Sequence, residues 1–231
     1  MVTGEINDIL ERYRVLLSRV DQWFARCLAE HPEEIVCVSG CSECCRGLFD
    51  ITLLDACFLK SGVDRLPPGV RRAVRVKARR RLAKMQRHWP EFGEPYLLNY
   101  RPDEDWEVLM PEEDETRCVL LDGSGKCLVY EERPMTCRLH GAPLVDQSGE
   151  VMFDEWCSLN FIGNDPLLID DLRWEFRRLF QDELALFQQF AEVLIGIRIN
   201  ELDTFIPTAL LIDFAGFDWR TWVRGAEFIK K

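Results

Sequence analysis

Long apolar runs are missing from this 231-residue chain: no segment approaches the roughly 20 consecutive apolar residues of a bilayer-spanning helix, so no membrane association of that kind is expected. Internal repeats and low-complexity tracts are missing too, which sets aside solenoids and extended linkers. Residues 1–28 lack the ordered basic start, apolar stretch and cleavage site of a secretory signal, because Glu5, Asp8, Glu11, Arg12 and Arg14 interrupt them. That pattern predicts a cytoplasmic location, where thiols are kept reduced. No glycine-rich phosphate loop follows a strand, and no serine or cysteine has a recognisable histidine–carboxylate setting for nucleophilic catalysis. Net positive charge is also lacking. A formal charge of −11 repels polyanions and so disfavours a general nucleic-acid role.

What the chain does have is sulfur. Eight of its ten cysteines are staged, with Cys37, Cys41, Cys44 and Cys45 in nine residues, then Cys118, Cys127 and Cys137, then Cys157. Thiolates gathered this way suit zinc or an iron–sulfur cluster, because sulfur donates strongly to such ions and a turn can aim several sulfurs at one point. Disulfides are the competing use. The expected compartment, the tendency of adjacent Cys44 and Cys45 to point apart, and a chain long enough to bury a core without covalent staples all favour metal. One tetrahedral zinc or one 4Fe-4S cubane takes four protein ligands, so eight thiols suit two sites, or one site with spare redox-active cysteines. A single site drawing on both halves is expected, since one metal would then tie loop and hairpin together. Arg46, Arg133 and Arg138 each lie beside a cysteine or its turn, either to offset the negative charge of the centre or to form ordinary surface salt bridges. His140 follows Cys137 by three residues, and packing in its turn is expected rather than ligation.

The rest reads as helices around an irregular centre. Ile6, Ile9, Leu10, Tyr13, Leu16, Leu17, Val20, Phe24, Cys27 and Leu28 recur at three- and four-residue steps, predicting a long first helix with Cys27 in the core. Cys57 falls in a short helix that Thr52 and Asp55 can open, and it too is expected in the core. A second helix should follow Pro67 and Pro68 and run to about Trp89. Its narrow stripe is Val70, Val74, Ala78, Leu82, Met85 and Trp89, and nine arginines and lysines with no acid cover the remainder. The acidic segment from Asp103 through Glu107 and Glu112 to Glu115 is expected to compensate that basic face. Hairpins are predicted over 118–130, around Asp122-Gly123-Ser124-Gly125, and over 144–153, around Ser148-Gly149, with a brief helix or turn near Pro134 between them. A long helix should start at Asp165-Pro166 and run to Ile197, and the aromatic-rich end, with Phe205, Phe214, Phe217, Trp219 and Trp222, should pack on the first helix.

Taken together, Cys37-Val-Ser-Gly-Cys41-Ser-Glu-Cys44-Cys45, Cys118-Val-Leu-Leu, Gly125-Lys-Cys127-Leu-Val-Tyr130 and Arg133-Pro134-Met-Thr-Cys137-Arg138 resemble the YkgJ-like cysteine-cluster family, also called CxxCxxCC. The resemblance spans about residues 36–160. It implies a bacterial zinc- or iron-chelating domain without an assigned biochemical role, and a related cluster occurs in flagellin lysine methylases. The outer helices receive no function from it. Cys37, Cys41 and Cys44 also have the three-then-two spacing of radical S-adenosylmethionine enzymes. Here, however, Glu43 stands where those have an aromatic residue, and no strand–helix series follows.

The expectation is a single, mostly helical α+β domain. Its cysteine-rich centre, residues 36–160, carries short hairpins and is flanked by helical segments 1–31 and 165–231. Two functions fit the sequence: a non-catalytic or regulatory module binding zinc or an iron–sulfur cluster, with room for a protein partner, or a cluster-dependent redox or group-transfer enzyme acting on protein side chains.

Overall fold

The computed structural model describes residues 4–38, 40–99, 109–110 and 114–225. The first helix, α1 (Gly4–Glu30), buries the predicted stripe from Ile6 to Val20 together with Trp23, leaves Phe24 and Leu28 half-buried, and fully encloses Cys27. Helix α2 (Leu53–Arg65) opens as expected, with the Thr52 hydroxyl accepting the Asp55 N–H at 3.1 Å, and Cys57 lies in the core. Helix α3 (Pro68–Met85) starts on the predicted proline and ends in a turn before Trp89. It buries Val74, Ala78, Leu82 and Met85, and it also buries Arg81.

Among the described residues, the helical elements next after α3 are a 3-10 turn (Tyr130–Glu132) and the five-residue α4 (Met135–Leu139), which carries Cys137. The long C-terminal helix α5 spans Phe176–Ile195 and packs along α1. Trp23 of α1 meets Phe176 edge-on at 4.9 Å between ring centroids, and Arg19 pairs with Glu175 and Asp182.

Helix α5 begins about ten residues later than the sequence pattern suggests. Asp165 caps only a short turn by accepting the Leu167 N–H, and two 3-10 turns follow at Pro166–Leu168 and Asp170–Leu172. Backbone at Trp174 is then committed to strand-like pairing, giving its N–H to Val145 and its carbonyl to Gln147. Only past that point does the helix start, with the Asp146 carboxylate accepting the Arg177 N–H.

The described strands are short and form two antiparallel pairs. The predicted hairpin over 144–153 is present as β2 (Leu144–Val145) and β3 (Val151–Phe153). Strands β1 (Asp50–Thr52) and β4 (Asp203–Phe205) pair with Ile51 opposite Thr204, a long-range pairing that ties the chain just past Cys45 to the C-terminal segment. The hairpin expected over 118–130 reduces to a bridged turn. Leu121 and Cys127 form its one bridge, and the Asp122 carboxylate accepts the N–H groups of Ser124 and Lys126, satisfying the loop locally.

Phe205 and Trp219 of the aromatic end are buried, and Phe214, Phe217 and Trp222 are half-buried in the same core as the first helix. Phe214 meets Phe190 of α5, Trp219 of α7 (Trp219–Gly225) sits among Phe214, Phe217 and Trp222, and Phe205 packs on Phe92 just before α6 (Ile206–Ala209). The result is a mostly helical α+β architecture with long helices at both ends.

Candidate metal centre

The Cys37–Cys45 segment has no regular structure; two tight turns shape it, with Cys41 N–H bonded to the Val38 carbonyl and Cys45 N–H to that of Ser42. These turns bring the Cys44 and Cys45 thiols into hydrogen-bonding contact rather than pointing them apart, yet all ten cysteines are free. Next to them the chain is bridged to the second cysteine group. Cys118 N–H donates to the Cys45 carbonyl at 2.8 Å, Gly47 N–H to that of Thr116 at 3.0 Å, and Arg46 and Arg117 form an antiparallel bridge between. Gly47 has φ +75°, a conformation that costs a glycine little. The bridged turn sets Cys127 behind Cys118, and α4 delivers Cys137.

On the opposite side Asn160 fixes Cys37. Its side chain is 2% exposed, its Oδ1 accepts the Val36 N–H at 3.1 Å, and its Nδ2 donates to the Gly141 carbonyl at 2.7 Å and to Cys37 Sγ at 3.6 Å. Asn160 N–H in turn bonds the Cys157 carbonyl, placing Cys157 beside Cys37.

Each of the eight staged thiols lies within electrostatic reach of at least one other. Burial, then the charges of Cys157, Cys41 and Cys44, push the Cys37 thiol up, against a hydrogen bond from Asn160 that lowers it. Burial holds Cys118 up at about 11, with Cys127 and Cys44 adding to the effect. Burial also raises Cys137 far above the ordinary thiol, reinforced by Cys118, Cys127, Asp55 and Cys44, while Cys157 is raised by burial and then by Cys44 and Cys41. Cys44 itself is held high chiefly by its hydrogen bond to Cys45. One group thus contains Cys37, Cys41 and Cys157, another Cys118, Cys127 and Cys137, and Cys44 faces both. Burial raises Cys127 as well, with Arg133 opposing.

Such a set fits a soft cation. Thiols that resist ionisation because of burial and each other's charge are the ones a cation would convert to stable thiolates. Among the described residues, no three of these sulfurs lie within 4.8 Å of one another. Among the described residues, the one set of potential ligands that close is Glu30, His31 and Asp171 near the end of α1, where Arg26 already pairs with Glu30 and donates to the Asp171 carbonyl.

The three arginines are engaged with oxygen. Arg46 pairs with Glu43 and Glu115; Arg133 pairs with Asp21 at 2.8 Å and lies over the Tyr130 ring; Arg138 is buried and donates to Asp21 and to the carbonyls of Arg133 and Glu131. His140 packs edge-on against Phe49, and burial lowers its pKa.

Sequence reasoning missed Asn160, whose only signal is a position three residues past Cys157. It also missed a carboxylate group beside α4. Asp55, Glu183 and Asp203 line a cavity of about 150 Å³ together with Thr52, Met135 and Phe180. The Tyr13 hydroxyl reaches Asp55 at 2.8 Å and Glu183 at 3.2 Å, and Asp55 also accepts the Met135 N–H. Burial raises all three carboxyls.

A family model described as "Putative zinc- or iron-chelating domain" matches residues 36–158, more than half of the chain. The chain belongs to the CxxCxxCC family. Its matched region begins one residue before Cys37 and ends one residue after Cys157, so it encloses all eight staged cysteines and leaves out α1 and α5. Neither the curated proteins nor the solved structures contain a match. The family's description is that of a domain chelating zinc or iron, and the matched region holds the eight cysteines.

Proposed function

We propose that Cys37, Cys41, Cys44, Cys45, Cys118, Cys127, Cys137 and Cys157 supply the ligands of one centre that joins both halves of the domain, with Cys44 at its hub. The observation that carries this reading is that thiols from four separate segments lie within electrostatic reach of Cys44. An iron–sulfur cluster suits the spacing better than a single zinc. Four sulfurs about 2.3 Å from one zinc ion lie about 3.8 Å apart, whereas a cluster spreads its thiolates over separate irons. That no three of the sulfurs lie within 4.8 Å of one another among the described residues accords with the second arrangement. Arg133, close to Cys127, and Arg46 and Arg138 around the rim temper the accumulated negative charge. Protein purified without oxygen should be coloured, carry iron and sulfide, and bleach on reduction. Cys44→Ser should remove most of the bound metal while Cys27→Ser keeps it. Colourless protein containing zinc would replace the cluster with zinc, and equal metal in both variants would defeat the assignment.

The second reading, a redox or group-transfer enzyme in the cytoplasm, rests on the carboxylate-lined cavity. Met135, Thr136 and Leu139 of α4 line it, and the same helix carries Cys137. Protonated carboxyls next to a cluster could exchange protons with a bound substrate. Asp203→Asn should then abolish turnover while leaving metal content and visible spectrum intact; unchanged turnover would remove the cavity from the chemistry.

A further inference from the structure

Helix α3 carries a charge pattern that the metal centre does not use. The cations on its inner face and flanks are satisfied: buried Arg81 pairs with half-buried Asp114, Arg75 with Asp64, Arg71 donates to the Asp64 carbonyl and Lys77 to that of Leu121. On the opposite face Arg72, Arg79, Arg80 and Lys84 are exposed, and Arg87 continues the row in the following turn. Among the described residues, none of these five has a hydrogen-bond or ion-pair partner. Of the acidic segment expected to compensate them, Asp114 and Glu115 pair with Arg81 and Arg46, and residues 103–107, 112 and 113 lie outside the described residues.

We propose that this face of α3 docks a short acidic segment of a partner protein. From Arg72 to Lys84 the cations span about 18 Å of helix, the reach of a few carboxylates on a facing helix or strand. Four of the five are arginines, whose planar forks bind carboxylates in pairs. The surrounding residues argue against other polyanions. Among the described residues Val76 and Ala83 lie among the cations, leaving no bulky apolar ridge for insertion into lipid, and bases would find only the His88 imidazole and half-buried Tyr96 near Arg79 to stack on. Charge restricts the partner's length as well. With +9 on residues 70–89 and −11 overall, the remaining chain carries −20, so a long polyanion would overrun the basic face onto a repelling surface.

The test uses the full-length protein and a labelled glutamate-rich peptide of about fifteen residues, with duplex RNA and phosphatidylserine vesicles as the other arms. The peptide should bind, and raising salt from about 0.05 to about 0.3 M should weaken it about tenfold. Reversing Arg79→Glu, Arg80→Glu and Lys84→Glu should abolish that binding and confer binding of a lysine-rich peptide, with helix content and bound metal unchanged. Should the triple reversal fail to fold, the milder pair Arg79→Gln and Arg80→Gln should still weaken the acidic peptide severalfold. No binding of the acidic peptide, binding that survives these changes, or tighter binding of RNA or vesicles would each overturn the proposal.

Discussion

Asn160 satisfies three partners with one amide: the N–H of Val36, the carbonyl of Gly141 and the sulfur of Cys37. Asn160→Ala would leave buried backbone groups without partners, costing about 2 kcal/mol, or roughly 4–8 °C in Tm for a chain of this size. Metal should also be held more weakly, and both effects are measurable by thermal melting with and without a chelator. Beyond its position three residues past Cys157 the sequence does not mark this residue, because its partners come from two distant segments. Cys27 and Cys57 are the reverse case, since their spacing along an apolar helical stripe is enough to identify them as core. A second residue-level prediction concerns Glu183, which burial pushes up from 4.5 to about 8, with nearby Asp55 adding to it. The folded protein therefore holds a proton that the unfolded chain releases above about pH 4.5, so stability falls as pH rises from there through about 8. Glu183→Gln keeps the neutral form and should flatten that part of the stability–pH curve, removing a loss on the order of 2 kcal/mol. Urea midpoints measured at pH 6 and pH 9 in both proteins would check it; an equal fall in the variant would refute the assignment.

Helices were legible wherever one period ran uninterrupted. The stripes of α1 and α3 predict their buried faces nearly residue by residue, whereas the apolar spacing ahead of α5 continues through Leu168 and Leu172 into residues that form 3-10 turns. Periodicity cannot register that Trp174 has given its backbone to Val145 and Gln147. The β1–β4 pairing was equally hidden, since three-residue strands lack a readable alternation and their partner is about 150 residues away. Arg81 shows an element correcting its own pattern. It interrupts the buried face of α3 and is tolerated because Asp114 meets it. Removing one partner, as in Asp114→Ala, should cost about 3 kcal/mol by stranding a buried charge, while Arg81→Met with Asp114→Leu should recover most of that loss. A double-mutant cycle in urea would measure the coupling, and additive losses would show that the pair is not a unit.

At the scale of the whole molecule, the staged cysteines told which segments converge, but not how they are held. Cys45 and Cys118 are separated by α2, α3 and the acidic segment, and two main-chain hydrogen bonds flanking the Arg46–Arg117 bridge join the strands that carry them. Those bonds alone offset little of the entropy of closing so long a loop, so ligand bonds from both sides are expected to supply the rest. The outer helices stand differently, because α1 and α5 pack through their own apolar seam and retain it without metal. Chelation should therefore raise hydrogen exchange at Cys45, Gly47, Cys118 and Leu128, whose N–H groups form the bridges around the centre, by at least about tenfold, or about 1.4 kcal/mol of local stability. Amides in the middle of α1 and α5 should change much less. If the bridge amides keep full protection after verified metal removal, the backbone closes the loop unaided and the shared centre is wrong; if all amides lose protection together, metal holds the entire fold rather than its cysteine core.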